Sequence, residues 1–470
     1  MAVSSPTRHT TDARQPDRFL WIGLAIAFLL RLLIMLIVFR SPEPYSGDGP
    51  FYIVNAQELW RILNIPAPNA PHDYIYLRHT TSIGPLYPLF LAPFYNLIPN
   101  TAPVAQALAT RVAQAGLDTL IVYLVYRLAD HLFGRRVAHV ALVAQAIDLR
   151  YMFNAGAIAT ETLFITLFIA FMLVYVQAAA RPSTGMGSYR WAGVLLGLGL
   201  LTRPVPLLFP AVLILHGWLA RRAGQEDPRR VRRGAIWVTV VALALITPWL
   251  MRTAYLTGEF IPVSDTVFVH FYRAARDDGA VLSTDQALEE AVGEDTGYGQ
   301  TDNNTEGNEY IDAGVRHIAE EPLAWVVRNV SETGAALLQP FGTVIATPRG
   351  AGVKQVASDF LKGDASLSDV LTVPGFWRRL GMYLSHYWGL IGGLVGFALV
   401  VRRRWWEVFP LAGWVVYVIG LMSALLVEPR YLFPMMFVFT VFAAYATVQL
   451  WDWMKQRGYL PAWLARMASA

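Results

Sequence analysis

Residues 19–39, FLWIGLAIAFLLRLLIMLIVF, form one apolar stretch whose single charge is Arg31. About 20 such residues are what an α-helix needs to cross the hydrocarbon core of a bilayer. No water reaches that core, so the segment must satisfy its own backbone hydrogen bonds, which a helix does. The run is too long for the core of a cleavable signal peptide, and no small-residue cleavage site follows it. It is therefore expected to remain as a first span. Comparable runs lie at 102–128, 136–152, 157–179, 190–202, 204–220, 234–253, 380–401, 407–427 and 430–452, which makes ten expected spans.

Composition agrees. Charged residues make up 15% of the 470, against roughly 25% in soluble domains. The fold class expected is an all-α polytopic membrane protein, with the bilayer as its first partner and no nucleic acid. The absence of cysteine excludes disulfides, thiolate metal sites and cysteine nucleophiles.

The stretch GPLYPLFLAPFYNLIP at 84–99 is apolar, but its prolines argue against a regular spanning helix. It is expected to be re-entrant or interfacial. The segments that follow are a tail 1–18, a membrane module 19–256 including a first loop 40–83, a long loop or small domain 257–378, membrane helices 379–453 and a tail 454–470. The long loop carries 19 of the 34 acidic residues and eight Arg or Lys, too polar to span. Within it, 322–346 reads either as an amphipathic helix on the outer interface or as a buried helix of an outer domain.

Short basic loops orient such a chain. Arg135 and Arg136, the cluster from Arg221 to Arg233, Arg402 to Arg404, and Lys455 with Arg457 all fall on one side if ten spans alternate. That side is expected to be the cytoplasm of a plasma-membrane protein, with both termini there. The other side then receives Asp48, Arg78, His79, Glu161, Arg203, Arg252, Glu428 and Arg430. Arginine forks bind phosphate bidentately, and a carboxylate can take a proton from an attacking hydroxyl. Each residue also has a plainer reading: Asp48 as a turn residue, Glu161 as a charge favoured at a helix start, Glu428 as a local partner of Arg430, Arg203 as a snorkelling side chain. Deeper in the membrane, Arg111 and Asp118 share one helix face and are expected to pair structurally.

The motifs occur in an order that resembles the GT-C-type membrane glycosyltransferases that use polyprenyl-phosphate-linked sugars. The nearest groups are bacterial relatives of the protein O-mannosyltransferases and of the lipid A aminoarabinose transferase. The resemblance rests on Asp48 in the first loop, PLYPLFLAPFY (85–95), TETLF (160–164), GLGLLTRPVPLLFP (197–210), TPWLMRTAYLTGEFIPVS (247–264) and EPRYLFP (428–434). A second acidic residue often follows the first-loop acid; here Gly49 stands there. The resemblance implies a GT-C-type helical bundle of about 10–11 transmembrane helices, interfacial helices in the first outer loop and a long extracytoplasmic loop. It implies an inverting transfer of sugar from a polyprenyl-phosphate carrier to a hydroxyl of a protein, lipid or glycan. Asp48 is the implied catalytic base and Glu161 a second acid near the sugar or a metal. Arg78, Arg203 and Arg430 are implied to hold the carrier phosphate, with Arg252 and His79 as lesser candidates. The resemblance makes no cofactor certain; a divalent cation on Asp48 and Glu161 is left open. Two other classes fit a polytopic chain: a transporter or lipid-linked-sugar flippase, and a non-catalytic subunit of an envelope glycan assembly.

Overall fold

The computed structural model describes residues 17–58, 83–181, 185–257, 260, 266–276, 307–340, 358–360, 362–364, 366–373, 375–425 and 427–459. Among them there is no strand. The elements that position the site are α1 (Arg18–Ile37), α2 (Gly49–Gln57), α3 (Leu86–Leu97), α4 (Pro103–Phe133), α5 (Arg135–Ala146), α6 (Leu149–Gly156), α7 (Glu161–Ala180), α8 (Met186–Thr202), α9 (Phe209–Leu219) and α10 (Pro228–Thr257). Then come α11 (Thr266–Ala275), α12 (Gly307–Glu320), α13 (Pro322–Leu337), α14 (Leu367–Thr372), α15 (Phe376–Ala424), α16 (Pro429–Leu432), a 3-10 turn and α17 (Met436–Gln456).

Every expected span meets a helix. Among the described residues, six stretches are long and apolar enough to cross a membrane by length and composition: α1, α4, α7, α10, α15 and the run Pro429–Gln456. The other expected spans correspond to shorter helices. The span drawn at 136–152 breaks between α5 and α6, where the Asp148 side chain caps α6 by accepting from the Arg150 backbone N–H. The proline-rich stretch 84–99 forms α3, a helix that runs through Pro93. Its 12 residues reach only about 18 Å, well short of a bilayer core.

The two spans drawn at 380–401 and 407–427 are both in α15, 49 residues long with non-helical backbone at Arg404. His386 Nε2 lies 2.8 Å from the Leu337 carbonyl, and Ser423 Oγ lies 2.9 Å from Thr333 Oγ1. Thr333 and Leu337 are one turn apart on α13. A straight helix would separate residues 386 and 423 by about 55 Å, so the chain doubles back at Arg404 into a hairpin. The Arg404 guanidinium fastens the bend by donating to the Leu132 carbonyl and pairing with Glu407.

Contacts sort the helix ends into two groups. At one end Asp17 accepts from Tyr126 at 2.7 Å and pairs with Arg135 at 3.0 Å, and Arg136 pairs with Asp452 at 2.8 Å. Ala179, Ala220, Val231 and Trp406 also cluster there. This is the end of the basic loops. The opposite end gathers the first loop and the starts of α7 and α16.

The expected Arg111–Asp118 pairing is not what forms. Asp118 pairs instead with Arg31 of α1 at 2.6 Å, with both side chains fully enclosed. Arg111 turns to backbone, donating to the carbonyls of Phe39 (2.9 Å), Ser41 (2.6 Å), Gly156 (3.0 Å) and Glu43. One helix face was legible in the spacing; the neighbours that other helices would present to it were not.

On α13, Leu323, Val326, Val327 and Val330 are exposed, while Asn329, Thr333 and Ala336 are buried. The helix is amphipathic, with its apolar residues outward.

Candidate active site

Four side chains from widely separated parts of the chain meet at the end opposite the basic loops. Asp48 Oδ2 accepts from Arg430 Nη2 at 2.8 Å. Glu161 Oε1 pairs with Arg203 Nη1 at 2.5 Å. The two pairs lie close enough for Glu161 to feel both guanidinium groups. Tyr431 stands between them: the guanidinium carbons of Arg203 and Arg430 lie 5.5 and 5.0 Å from its ring centroid. Cation–π attraction favours that placement. Glu428 adds a third carboxylate, 3.4 Å from Arg430 Nε. Tyr52 of α2 closes the group. Burial pushes its hydroxyl well above the ordinary phenol value, and the charges of Asp48 and Glu161 push the same way.

Local chemistry explains each position. Asp48 is the N-cap of α2 but makes no capping hydrogen bond, so its carboxylate is directed to Arg430 instead. Pro50 begins the helix at a position where a missing N–H costs nothing. Gly49 is buried, and a Cβ there would run into the Pro44 ring and crowd the Ile158 carbonyl. This is a packing glycine rather than a flexible hinge, and it explains why no second acid follows Asp48. The loop before it is pinned. Ile158 N donates to Pro44 O at 2.8 Å. Tyr45 holds a left-handed backbone at φ 53°, a strained choice for a bulky residue. Its ring meets Phe39 edge-on at 4.9 Å, and its hydroxyl bonds Ser41 Oγ at 2.8 Å.

Arg111 sits under this loop and ties carbonyls of residues 39–43 to that of Gly156. Arg111→Ala strands buried acceptors, each costing about 1–3 kcal/mol when unmet. We expect a loss of roughly 2–3 kcal/mol of stability. Unfolding of the variant and the native chain in one detergent checks it.

Glu161 opens α7, where the positive end of the helix dipole favours a carboxylate. The turn before it is held by Gln114, whose Nε2 donates to Ala155 O at 2.8 Å and Ala157 O at 2.7 Å while Oε1 accepts from the Tyr87 hydroxyl at 2.7 Å. Arg203 ends α8, because Pro204 cannot continue the ladder. It is buried rather than snorkelling. Gly84 packs on the carbonyl of Leu201, so that a Cβ there has no room. Tyr417 clamps the break, donating to Val205 O at 2.6 Å and accepting from Leu208 N at 3.3 Å. Arg430 follows Pro429 at the start of α16.

The sequence-derived candidates therefore divide. Asp48, Glu161, Arg203 and Arg430 come together. Arg252 is buried with its guanidinium 4.8 Å from the Trp249 ring. Arg78 and His79 lie outside the described residues. Sequence reading passed over Tyr52, Tyr431 and His270. Tyr431 was signalled only as the neighbour of Arg430, and His270 sits in a segment that matched no motif.

Asp48 and Glu161 are the two carboxylates on which a cation is left open. Each carboxylate already faces an arginine, and among the described residues no group of three or more His, Asp or Glu could hold a metal ion.

Residues 82–251 match the family described as dolichyl-phosphate-mannose-protein mannosyltransferase. The whole chain is similar in fold to the oligosaccharyltransferase of Archaeoglobus fulgidus. Against the apo form the TM-score is 0.55 at 16% identity, covering 94% of this chain and 52% of that one. Against AglB in complex with an inhibitory peptide and a dolichol-phosphate it is 0.52 at 14% identity, covering 94% and 51%. The chain thus spans about half the length of these structures. ArnT from Cupriavidus metallidurans bound to undecaprenyl phosphate gives a TM-score of 0.39 at 15% identity, over 92% of this chain and 79% of that one. No curated protein matches. The chain therefore has the GT-C-type helical fold of the oligosaccharyltransferase structures, and its residues 82–251 match the mannosyltransferase family.

Proposed function

We propose that the protein is an inverting glycosyltransferase that moves a sugar from a polyprenyl-phosphate carrier to an acceptor hydroxyl at the extracytoplasmic face of the plasma membrane. The observation that carries this is the convergence of Asp48, Glu161, Arg203 and Arg430 at the bundle end away from the basic loops. A lipid-linked phosphate lies at headgroup depth, where that end meets the outer leaflet once the basic loops are placed inside. On this reading α13 lies along the same interface with its apolar residues in lipid.

The chemistry follows from the groups present. The acceptor O–H gives its proton to the Asp48 carboxylate as its oxygen bonds to the anomeric carbon. The bond from that carbon to the phosphate oxygen breaks, and the electron pair leaves with the phosphate. Attack opposite the leaving group inverts the centre. Arg203 and Arg430 neutralise the charge that grows on the departing phosphate, which is where preorganised cations lower a barrier most. Binding the phosphate also draws Arg430 away from Asp48 and leaves the carboxylate free to act as base. Glu161 holds Arg203 in place and lies beside the sugar.

Purified protein given a labelled polyprenyl-phosphate sugar and a hydroxyl acceptor is expected to release free carrier phosphate and glycosylated acceptor. Movement of the intact lipid-linked sugar without bond cleavage would end the transferase reading.

Sidedness has its own test, since the native chain carries no cysteine. Gly47 is exposed, and a side chain there has open space; Arg402 is exposed at the hairpin bend. In intact cells Gly47→Cys is expected to react with a membrane-impermeant thiol reagent, and Arg402→Cys only after permeabilisation. The reverse pattern would place the site in the cytosol.

A further inference from the structure

The long segment after α10 matched no motif, yet one of its helices enters the site. His270 lies near the middle of α11. Its Nε2 is 3.2 Å from the Tyr431 hydroxyl, and the two rings are 5.6 Å apart. The same hydroxyl accepts from Arg430 Nη2 at 3.3 Å, and that nitrogen also donates to Asp48 at 2.8 Å. A continuous polar chain therefore runs from His270 through Tyr431 and Arg430 to Asp48. Since the Tyr431 oxygen accepts from arginine, its own proton is free to go to His270 Nε2. The imidazole proton then sits on Nδ1, which is shielded from solvent and has no partner among the described residues. Burial, with the neighbouring charges of Arg273 and Arg430, pushes the His270 imidazole down to about 4. The ring is neutral at neutral pH, as this arrangement requires.

Helix α11 is itself fastened. Its last carbonyls, which a helix end leaves without intrahelical donors, accept side-chain hydrogen bonds from α13. Trp325 Nε1 donates to Ala274 O at 3.0 Å, Asn329 Nδ2 to the same oxygen at 3.2 Å, and Arg328 Nη2 to Ala274 O at 2.9 Å and Ala275 O at 3.1 Å. Helix α13 in turn is bonded to both arms of the α15 hairpin through Leu337 and Thr333. His270 is thus presented by a braced helix. Its partner Tyr431 is the ring against which both arginines rest.

We propose that His270 is a positioning residue for the donor phosphate: it fixes the Tyr431 hydroxyl, and through that ring it sets the spacing of Arg203 and Arg430. The outer segment is then part of the site rather than an appendage to it. The identity of the phosphate ligand rests on the transferase reading above; the geometry of the relay does not.

The test measures two things on the full chain in detergent: binding of polyprenyl phosphate without sugar, and donor KM and kcat in the transfer assay. His270→Ala is expected to weaken carrier binding roughly five- to tenfold, the value of about one well-placed hydrogen bond. Donor KM rises by the same factor while kcat stays within about twofold. Tyr431→Phe, which keeps the ring and removes the hydroxyl, is expected to match it. The double variant should add nothing further, because both changes cut one chain. His270→Gln carries a polar nitrogen to a similar place and is expected to recover most of the binding. A Kd for His270→Ala within about twofold of the native value overturns the proposal. So does a double variant whose losses multiply, or a His270→Gln no better than alanine. If alanine at 270 does not yield folded protein, Tyr431→Phe and His270→Gln still decide. A native protein that binds the carrier but transfers no sugar ends the transferase reading, and the binding series then judges His270 alone.

Discussion

Asp48→Asn is expected to lower sugar transfer by roughly a hundred- to ten-thousandfold, the range a positioned general base supplies. Asparagine has nearly the same shape, and its amide oxygen can still accept from Arg430 at the place the carboxylate oxygen occupies. What disappears is basicity. Carrier-phosphate binding should therefore stay within a few-fold, and the unfolding temperature should barely move. Expression, polyprenyl-phosphate binding and single-turnover transfer, measured on one preparation, separate these effects. Full transfer by the asparagine variant would remove Asp48 as the base. A parallel loss of binding would recast it as part of the phosphate cradle.

The largest effect on stability is expected at Asp118. Arg31 and Asp118 are enclosed together at 2.6 Å, and the other nitrogens of Arg31 donate to the carbonyls of Ala27 (3.0 Å), Ala146 (3.0 Å) and Gln145 (3.3 Å). Asp118→Ala leaves a guanidinium among apolar side chains with no counter-charge. Removing one partner of a buried pair costs about 3–5 kcal/mol. Replacing both members with apolar residues of similar volume, Arg31→Met with Asp118→Leu, is expected to recover most of that loss, since the stranded charge goes too. Denaturation of the two singles and the double in one detergent gives the cycle. Losses that simply add would show that the pair is not coupled. The pair joins α1 to α4 away from the charged cluster, so the double variant should keep its transfer activity while folded.

Much of this architecture could be read from the chain. Runs of apolar residues located the helices, because a bilayer leaves the backbone few alternatives. Charges at the ends of those runs marked one rim, and Asp48, Glu161, Arg203 and Arg430 do share it. Partnership was not legible. Arg111 and Asp118 occupy one face of α4, yet which neighbour meets that face depends on how α1 and the first loop pack, a matter of sequence separations near a hundred residues. The bend at Arg404 was placed correctly between two spans, although nothing in RRRWW marks so tight a reversal. Gly49 looked like a softener of the turn beside Asp48. Only the approach of Pro44 shows that it is there for want of space. His270 was invisible for another reason. A lone histidine in a polar segment has no periodicity around it, and its role comes from a tyrosine 161 positions further along.

The internal pairing of Arg203 and Arg430 has one more consequence, for selectivity. A small soluble anion offers these two cations little that their own carboxylates do not already give, and it must also break both pairs. A phosphate tethered to a long hydrocarbon chain is different. Its tail stays dissolved in the surrounding leaflet, which delivers the headgroup at high local concentration and limits the freedom it has left to lose. On the transferase reading, the site thus ignores free phosphate in the medium and still exchanges counter-ions with a membrane-borne guest.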